Sequence, residues 1–397
     1  MKKLALVLVT ATALSGCLFE KDDKNKDADI SGFNAKLVLA TSAPDYSSSD
    51  IVVIGNSDTE NDVVIEGQLA TTEVTDAAVA SFGDTIYRLS RSTSNITEIN
   101  WNATNKTLST NWQYSVLGDD TSANPYDMLV VSGSKAYVAR YDSKNLWQIN
   151  PGAKTESEFK TAEIDLSAFA DDESGITRMA DLELVGNRLF VLLQNLETVT
   201  YYATYNSKVA VIDTTNNQII DTDDATANVQ VITLPIHNAT DLNLVGDTLY
   251  ISGRGDAYNF GDATFKYTGG IVTLNTETFA SELVVDDGDS TSAPYGTITN
   301  TVANASGDIY FTGSASWGDD HLYVLPNGAT QATEIRLGSN NYNISDLAFR
   351  DGNIYVAVHA QNNGSESAGL KVIDTSSNEL SGMIETTYNP TQIVISG

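Results

Sequence analysis

Apolar residues come along this chain in short runs separated by glycine-containing or Asx-rich turns, and no stretch carries the spacing of an amphipathic helix. One layout recurs six times. An Asp or Asn begins a short apolar strand, a Gly turn follows, and a second strand carries an aromatic: Asp76 to Tyr87, Asp127 to Tyr137, Asp181 to Phe190, Asp241 to Tyr250, Asn300 to Tyr310 and Asp346 to Tyr355. Successive aromatics stand 50, 53, 60, 60 and 45 residues apart. A third strand is predicted after each, over Asn95–Ile99, Leu146–Ile149, Val209–Ile212, Ile271–Leu274, Leu322–Leu325 and Leu370–Ile373. Turns such as Asp213–Asn217 and Asp374–Asn378 then lead to a fourth. Repetition of four short strands at this spacing predicts an all-β fold built of propeller blades.

The two ends set the blade count. Asn389–Ile395 has the look of the opening strand Asn124–Val130, yet no blade follows it. Strands near Lys36–Ala40, Ile51–Ile54 and Val63–Leu69 form a group of three that lacks an opener. Pairing the two gives seven blades and removes two open sheet edges. The segments Tyr-Val-Ala-Arg (137–140), Leu-Phe-Val-Leu (189–192), Leu-Tyr-Ile-Ser (249–252) and Ile-Tyr-Val-Ala (354–357) precede Val-Ile-Asp-Thr-Thr-Asn (211–216) or a variant of it. In this they resemble the seven-bladed YVTN-type propeller repeats of bacterial envelope proteins. The resemblance spans roughly residues 33 to 397, implies the fold, and is nearly silent on activity.

At the other end, Lys2 and Lys3 precede an apolar run from Leu4 to Leu14, too short to cross a membrane and suited to an export signal. The run meets Leu14-Ser15-Gly16-Cys17, which resembles the lipobox of bacterial lipoproteins. The resemblance implies cleavage before Cys17, acylation of its sulfur and, with Leu18 next, the outer membrane. Residues 1–16 are then a signal peptide, and 17–32 an acylated cysteine with a polar tether. Residues 33–397 form the propeller.

Composition narrows the partners. The chain holds 22 Lys+Arg against 52 Asp+Glu, a formal charge of −30, which repels nucleic acid. One cysteine excludes a disulfide framework, and His237, His321 and His359 leave little room for a multi-histidine metal centre. Acidic turns such as Asp286–Asp289 have incomplete calcium-loop spacing, so Ca2+ is the only cofactor to consider, on a weak signal. No nucleophile elbow, phosphate loop or zinc-protease motif is present.

Against this acidic background, the loops after the second strands share one face of a propeller and carry positive and aromatic side chains. Tyr46, Arg91, Arg140 with Tyr141, Gln194, Arg254, Trp317 and His359 contribute one group per blade. Only eight arginines exist, and Arg178 lies in an inter-blade loop on the same side. Tyr202 and Tyr258 belong to the longest loops. Charge-assisted hydrogen bonds of about 1.5–3 kcal/mol, with a Debye length of about 8 Å, let local arginines prevail over distant acidic loops. The expectation is a monomeric, non-enzymatic binding body, attached to the membrane only through its anchor. Arg91, Arg140 and Arg254 would clamp an anionic, ring-bearing ligand such as a ferric siderophore. Tyr141, Tyr202, Tyr258 and Trp317 would stack on it, with Gln194 and His359 alongside. An envelope scaffold using the same face, or a calcium-dependent propeller hydrolase or lyase, are the alternatives. The recurring Asp76, Asp127, Asp181, Asp241 and Asp346 read as caps on backbone N–H groups.

Overall fold

The computed structural model describes residues 34–56, 63–102, 107–223, 225–256, 267–316, 318–338, 341–361 and 366–396. Cys17, Tyr258 and Trp317 lie outside them.

Seven antiparallel sheets form the blades of a β-propeller. From the inner strand outward, the first blade is Asn389–Ile395, Asn34–Ser42, Ser49–Asn56 and Val63–Ile65. The C-terminal strand therefore pairs with the N-terminal one, Leu39 opposite Ile393, and closes the ring as the sequence predicts. The second blade is Ala77–Phe82, Thr85–Ser90, Asn95–Asn102 and Thr107–Ser115; the third is Pro125–Ser132, Lys135–Arg140, Asn145–Ile149 and Lys160–Asp165. The fourth runs Met179–Val185, Arg188–Leu193 and Asn206–Asp213, whose outer edge pairs with both Gln218–Ile219 and Val231–His237. The fifth is Ala239–Val245, Thr248–Gly253, Gly270–Asn275 and Ser281–Asp286. The sixth is Thr297–Ala303, Ile309–Ser316, Asp319–Leu325 and Thr333–Ile335, and the seventh Ile344–Arg350, Asn353–Val358, Gly369–Asp374 and Glu379–Glu385.

The core sits in the seams between blades, one apolar cluster per seam. Because strand side chains alternate, each middle strand feeds two seams. Ala136 and Val138 pack toward the second blade, while Tyr137 and Ala139 pack toward the fourth. That is why these strands read as continuous hydrophobic runs. The recurring aromatics span the same seams, and two reach a polar partner on the next blade. Tyr137 donates its O–H to Asn217 Oδ1 (2.6 Å), and Tyr310 donates to Asn378 Oδ1 (2.8 Å). Asn217 and Asn378 close the turns begun by Asp213 and Asp374 and sit in the left-handed region, φ 60° and 57°, which asparagine tolerates. The repeated Asp-x-x-x-Asn turn is thus a lock between neighbouring blades.

Candidate functional site

The inner strands carry a ring of polar side chains into the central channel, and its geometry follows from one backbone irregularity. In six blades the innermost pair contains a β-bulge just before the ring position. Asp127 faces Ala139, Asp181 faces Leu192, Asp241 faces Ser252, Asp346 faces Ala357, Gln392 faces Ala40, and Asn300 lies within the bulge of the sixth blade. The bulge re-aims these side chains toward the next blade. Leu182 N–H donates to Asp127 Oδ2 (3.0 Å), Ile393 N–H to Asp346 Oδ2 (2.7 Å) and Val79 N–H to Gln392 Oε1 (2.7 Å). Leu242 N–H donates to Asp181 and Thr301 N–H to Asp241 in the same manner. The capping role expected of Asp127, Asp181, Asp241 and Asp346 is what these contacts perform.

Asp76 departs from that expectation. The second blade has no bulge, so its register places Ala78, opposite Leu89, at the ring position. Asp76 falls two residues further out, where it pairs with Arg91 (3.2 Å). The sequence carried the signal: Asp76 and Tyr87 are 11 residues apart, against nine or ten elsewhere.

Burial raises the pKa values of the ring's carboxyls. Asp346 is pushed up to about 7 and Asp241 to about 6, in each case chiefly by desolvation. Asp127 and Asp181 also move up, both chiefly through burial and Asp181 further through the charge of Asp127. Deeper on the fourth inner strand, burial lifts Glu183 to about 7.

Above this ring lies a cavity of about 550 Å³. Its floor contains all seven ring positions, and its upper wall includes Tyr46, Asp76, Arg91, Tyr126 and Arg254. Arg91 and Arg254 share a register position with Tyr141, Gln194 and His359. The N–H of each bonds to the carbonyl at the start of its blade's inner strand: Arg91 to Asp76 (3.1 Å), Tyr141 to Asn124 (3.1 Å), Gln194 to Arg178 (2.9 Å), Arg254 to Asn238 (3.0 Å) and His359 to Asn343 (3.0 Å).

Position alone does not expose these groups. The Arg91 guanidinium lies 4.1 Å over the Tyr126 ring, and Tyr126 stacks on Tyr141 at 4.6 Å. Tyr141 donates to Gln194 Oε1, Gln194 donates to Asn238 Oδ1 (2.7 Å), and Asn238 donates to Gly255 O (3.0 Å). A continuous column thus runs from the second blade to the fifth, with Tyr141 and Gln194 buried inside it. Neither offers a surface for stacking. His359 is largely buried beside Pro390, its Nε2 has no hydrogen-bond partner, and desolvation depresses its basicity. Tyr202 is half-buried in its loop, where its carbonyl accepts from Glu197 N–H (3.1 Å).

Arg140 is not on the rim. It pairs opposite Pro125, one residue before the rim position, so its side chain leaves the strand on the other side. It is 1% exposed and bonds Val116 O (2.8 Å), Leu117 O (2.7 Å), Ser143 Oγ (2.7 Å) and Asp120 Oδ2 (2.6 Å), stacked 4.1 Å over Trp147. Arg178 is likewise buried, bonded to Asp142 and Thr198 O and lying between the Tyr141 and Tyr201 rings. Arg254 differs from both. Among the described residues its guanidinium has neither ion pair nor hydrogen bond, its buried Nε is unpartnered, and Asp241 and Asp346 act on it only through space. No group of three or more metal-ligating side chains occurs among the described residues.

Fold and cavity define the class: a seven-bladed β-propeller with a polar chamber at one mouth of its channel. No family profile and no curated protein matches the chain. Similar solved structures include a candidate 6-phosphogluconolactonase of Bacteroides fragilis NCTC 9343 at 10% identity and TM-score 0.56, covering 93% of this chain and 99% of that one. The corresponding Bacteroides uniformis ATCC 8492 protein matches at 12% identity and TM-score 0.55, covering 92% and 99%. AztD of Citrobacter koseri follows at 13% and 0.49, covering 91% and 83%. At these identities the agreement is one of fold.

Proposed function

We propose that the chain is a binding protein held at the outer membrane through Cys17, and that it receives an anionic, ring-bearing ligand, such as an iron chelate, in the chamber at the channel mouth. The observation that carries this reading is Arg254, a cavity-lining cation whose guanidinium has no ion pair or hydrogen bond among the described residues. A buried polar group without a partner is costly, and an anion supplies the missing acceptor. The acidic floor opposes an anion less than fully ionised carboxylates would, because burial lifts Asp346 to about 7 and leaves it partly protonated near neutral pH.

Calorimetric titration with iron-loaded dihydroxybenzoate tests the proposal. Binding to the intact protein should weaken about tenfold or more in Arg254→Gln, the loss of one charge-assisted hydrogen bond. Equal affinity in the variant refutes it. A second reading is favoured by the exposed Tyr46, Val199 and Tyr201 on loops of the same face, a rim suited to an envelope protein. Capture of a membrane partner that survives Arg254→Gln but fails with Val199→Asp would support that scaffold instead.

A further inference from the structure

The ring of polar side chains under the mouth is incomplete on one side only. Six blades place Asp, Asn or Gln there on a bulged strand, whereas the unbulged second blade places Ala78. With Thr75 and Ala77 beside it, this wall is partly apolar, and Ala78 is 5% exposed where it joins the apolar seam with the third blade. Directly above is Arg91, whose guanidinium has one face on Tyr126 while its side chain remains a quarter exposed to the cavity. Tyr141, Tyr126 and Arg91 form a stacked column that ends on a flat cation. A planar ring continues such a column better than an aliphatic group does, because guanidinium stacks on π-faces.

We propose that the gap at Ala78 is the ring pocket of the ligand: a planar aromatic anion sits over Ala77 and Ala78 against the open face of Arg91, with its charge turned to Arg254, and Ala78 sets the mouth's preference for ring-bearing anions. This rests on the binding reading above and names the class of ligand it serves. Filling the gap should spare the fold. On the third blade, Met128 N–H donates to Asp127 of its own strand, whereas Leu182 N–H donates both to Asp181 of its own strand and to Asp127 of the neighbouring blade, so a polar side chain at 78 would restore the contact made elsewhere.

The test is titration of benzoate and of inorganic phosphate, a ring-less anion, into the intact chain, Ala78→Asn, Ala78→Ser and Arg254→Gln. Asparagine fills the gap without adding charge. Wild type should bind benzoate more tightly than phosphate. Ala78→Asn should weaken benzoate about tenfold with phosphate changed less than about twofold, and Ala78→Ser should fall between. Should the asparagine variant fail to fold, the serine variant decides by the same ratio. Benzoate bound no tighter than phosphate, or bound equally by the filled variants, overturns the ring pocket; the parent reading then stands if phosphate binding still requires Arg254. Phosphate and benzoate binding unaffected by Arg254→Gln overturns both.

Discussion

Arg140 and Arg254 occupy adjacent positions of one blade repeat, and their side chains leave the strand in opposite directions. Arg140 enters a seam, where four carbonyl or hydroxyl oxygens, a carboxylate and an indole face consume its hydrogen bonds and charge. Arg254 enters the chamber and finds none of these among the described residues. Register thus decides whether a cation in this fold is spent inside a seam or reaches the chamber. The residues around the seam and those around the mouth should respond to mutation in different currencies, stability for the first and binding for the second.

The largest effect should come from opening a seam. Truncation after Tyr388 removes the inner strand of the first blade, exposes the edge of Asn34–Ser42 and deletes the acceptors and donors that tie Gln392 to Val79 and Asp346 to Ile393. Loss of a single cooperative unfolding transition is expected in urea, followed by circular dichroism and tryptophan fluorescence. A truncated chain that unfolds like the intact one would show that ring closure contributes nothing.

Next is Arg140→Ala, which takes the guanidinium from Val116 O, Leu117 O and Asp120 inside a seam, with Asp120 N–H remaining on Leu117 O and the Ser143 hydroxyl on Asp120. A loss of about 3 kcal/mol in urea unfolding is expected, tempered by the partial exposure of Asp120. A change below about 1 kcal/mol would mean that water replaces the guanidinium and that the seam is less dry than its geometry implies.

Much of this could be read from the chain. Blade number, the closing strand Asn389–Ile395 and the capping aspartates follow from repetition, since every strand must satisfy the same two seams. Arg140, Asp76 and Tyr141 show where such reading stops. A one-residue step reverses a side chain, and a bulge, which adds a residue without a fixed signature, decides whether an aspartate reaches the ring or the rim. The Asp76–Tyr87 interval held that information only as a difference of one or two residues. Nothing local in the sequence marks Arg254 as unpartnered, because partnering depends on what distant blades bring to the same mouth.

The carboxyl ring lies between seam and mouth, and pH separates its two roles. Asp346 and Asp241 have native pKa values raised from about 3.8 to about 7 and about 6, so between those limits the folded chain holds protons that the unfolded chain has released. Their stabilising contribution is therefore complete below about pH 4 and is lost as pH rises through 6 and 7. In Asp346→Asn the fall in unfolding free energy between pH 5 and 8 should be shallower by on the order of 2 kcal/mol, a figure already discounted for water in the chamber. Parallel curves for variant and wild type would assign the slope to other groups.

The smallest effect on stability belongs to Arg254→Gln, and its smallness is the sharpest form of the comparison. Glutamine keeps much of the stem and removes a charge that, among the described residues, makes no contact closer than through-space attraction to Asp241, Asp320 and Asp346. Loss of that attraction is opposed by relief of an unpartnered Nε, and the carboxyls can compensate by taking up protons. A net change within about 0.5 kcal/mol is expected near neutral pH, against about 3 kcal/mol for Arg140→Ala one register step away. The same substitution should raise the pKa values of Asp241 and Asp346 further, since a favourable cation is gone, and move the decline of stability to higher pH. Equal destabilisation by the two substitutions would place Arg254 in the scaffold, and the mouth would lose the cation on which its chemistry depends.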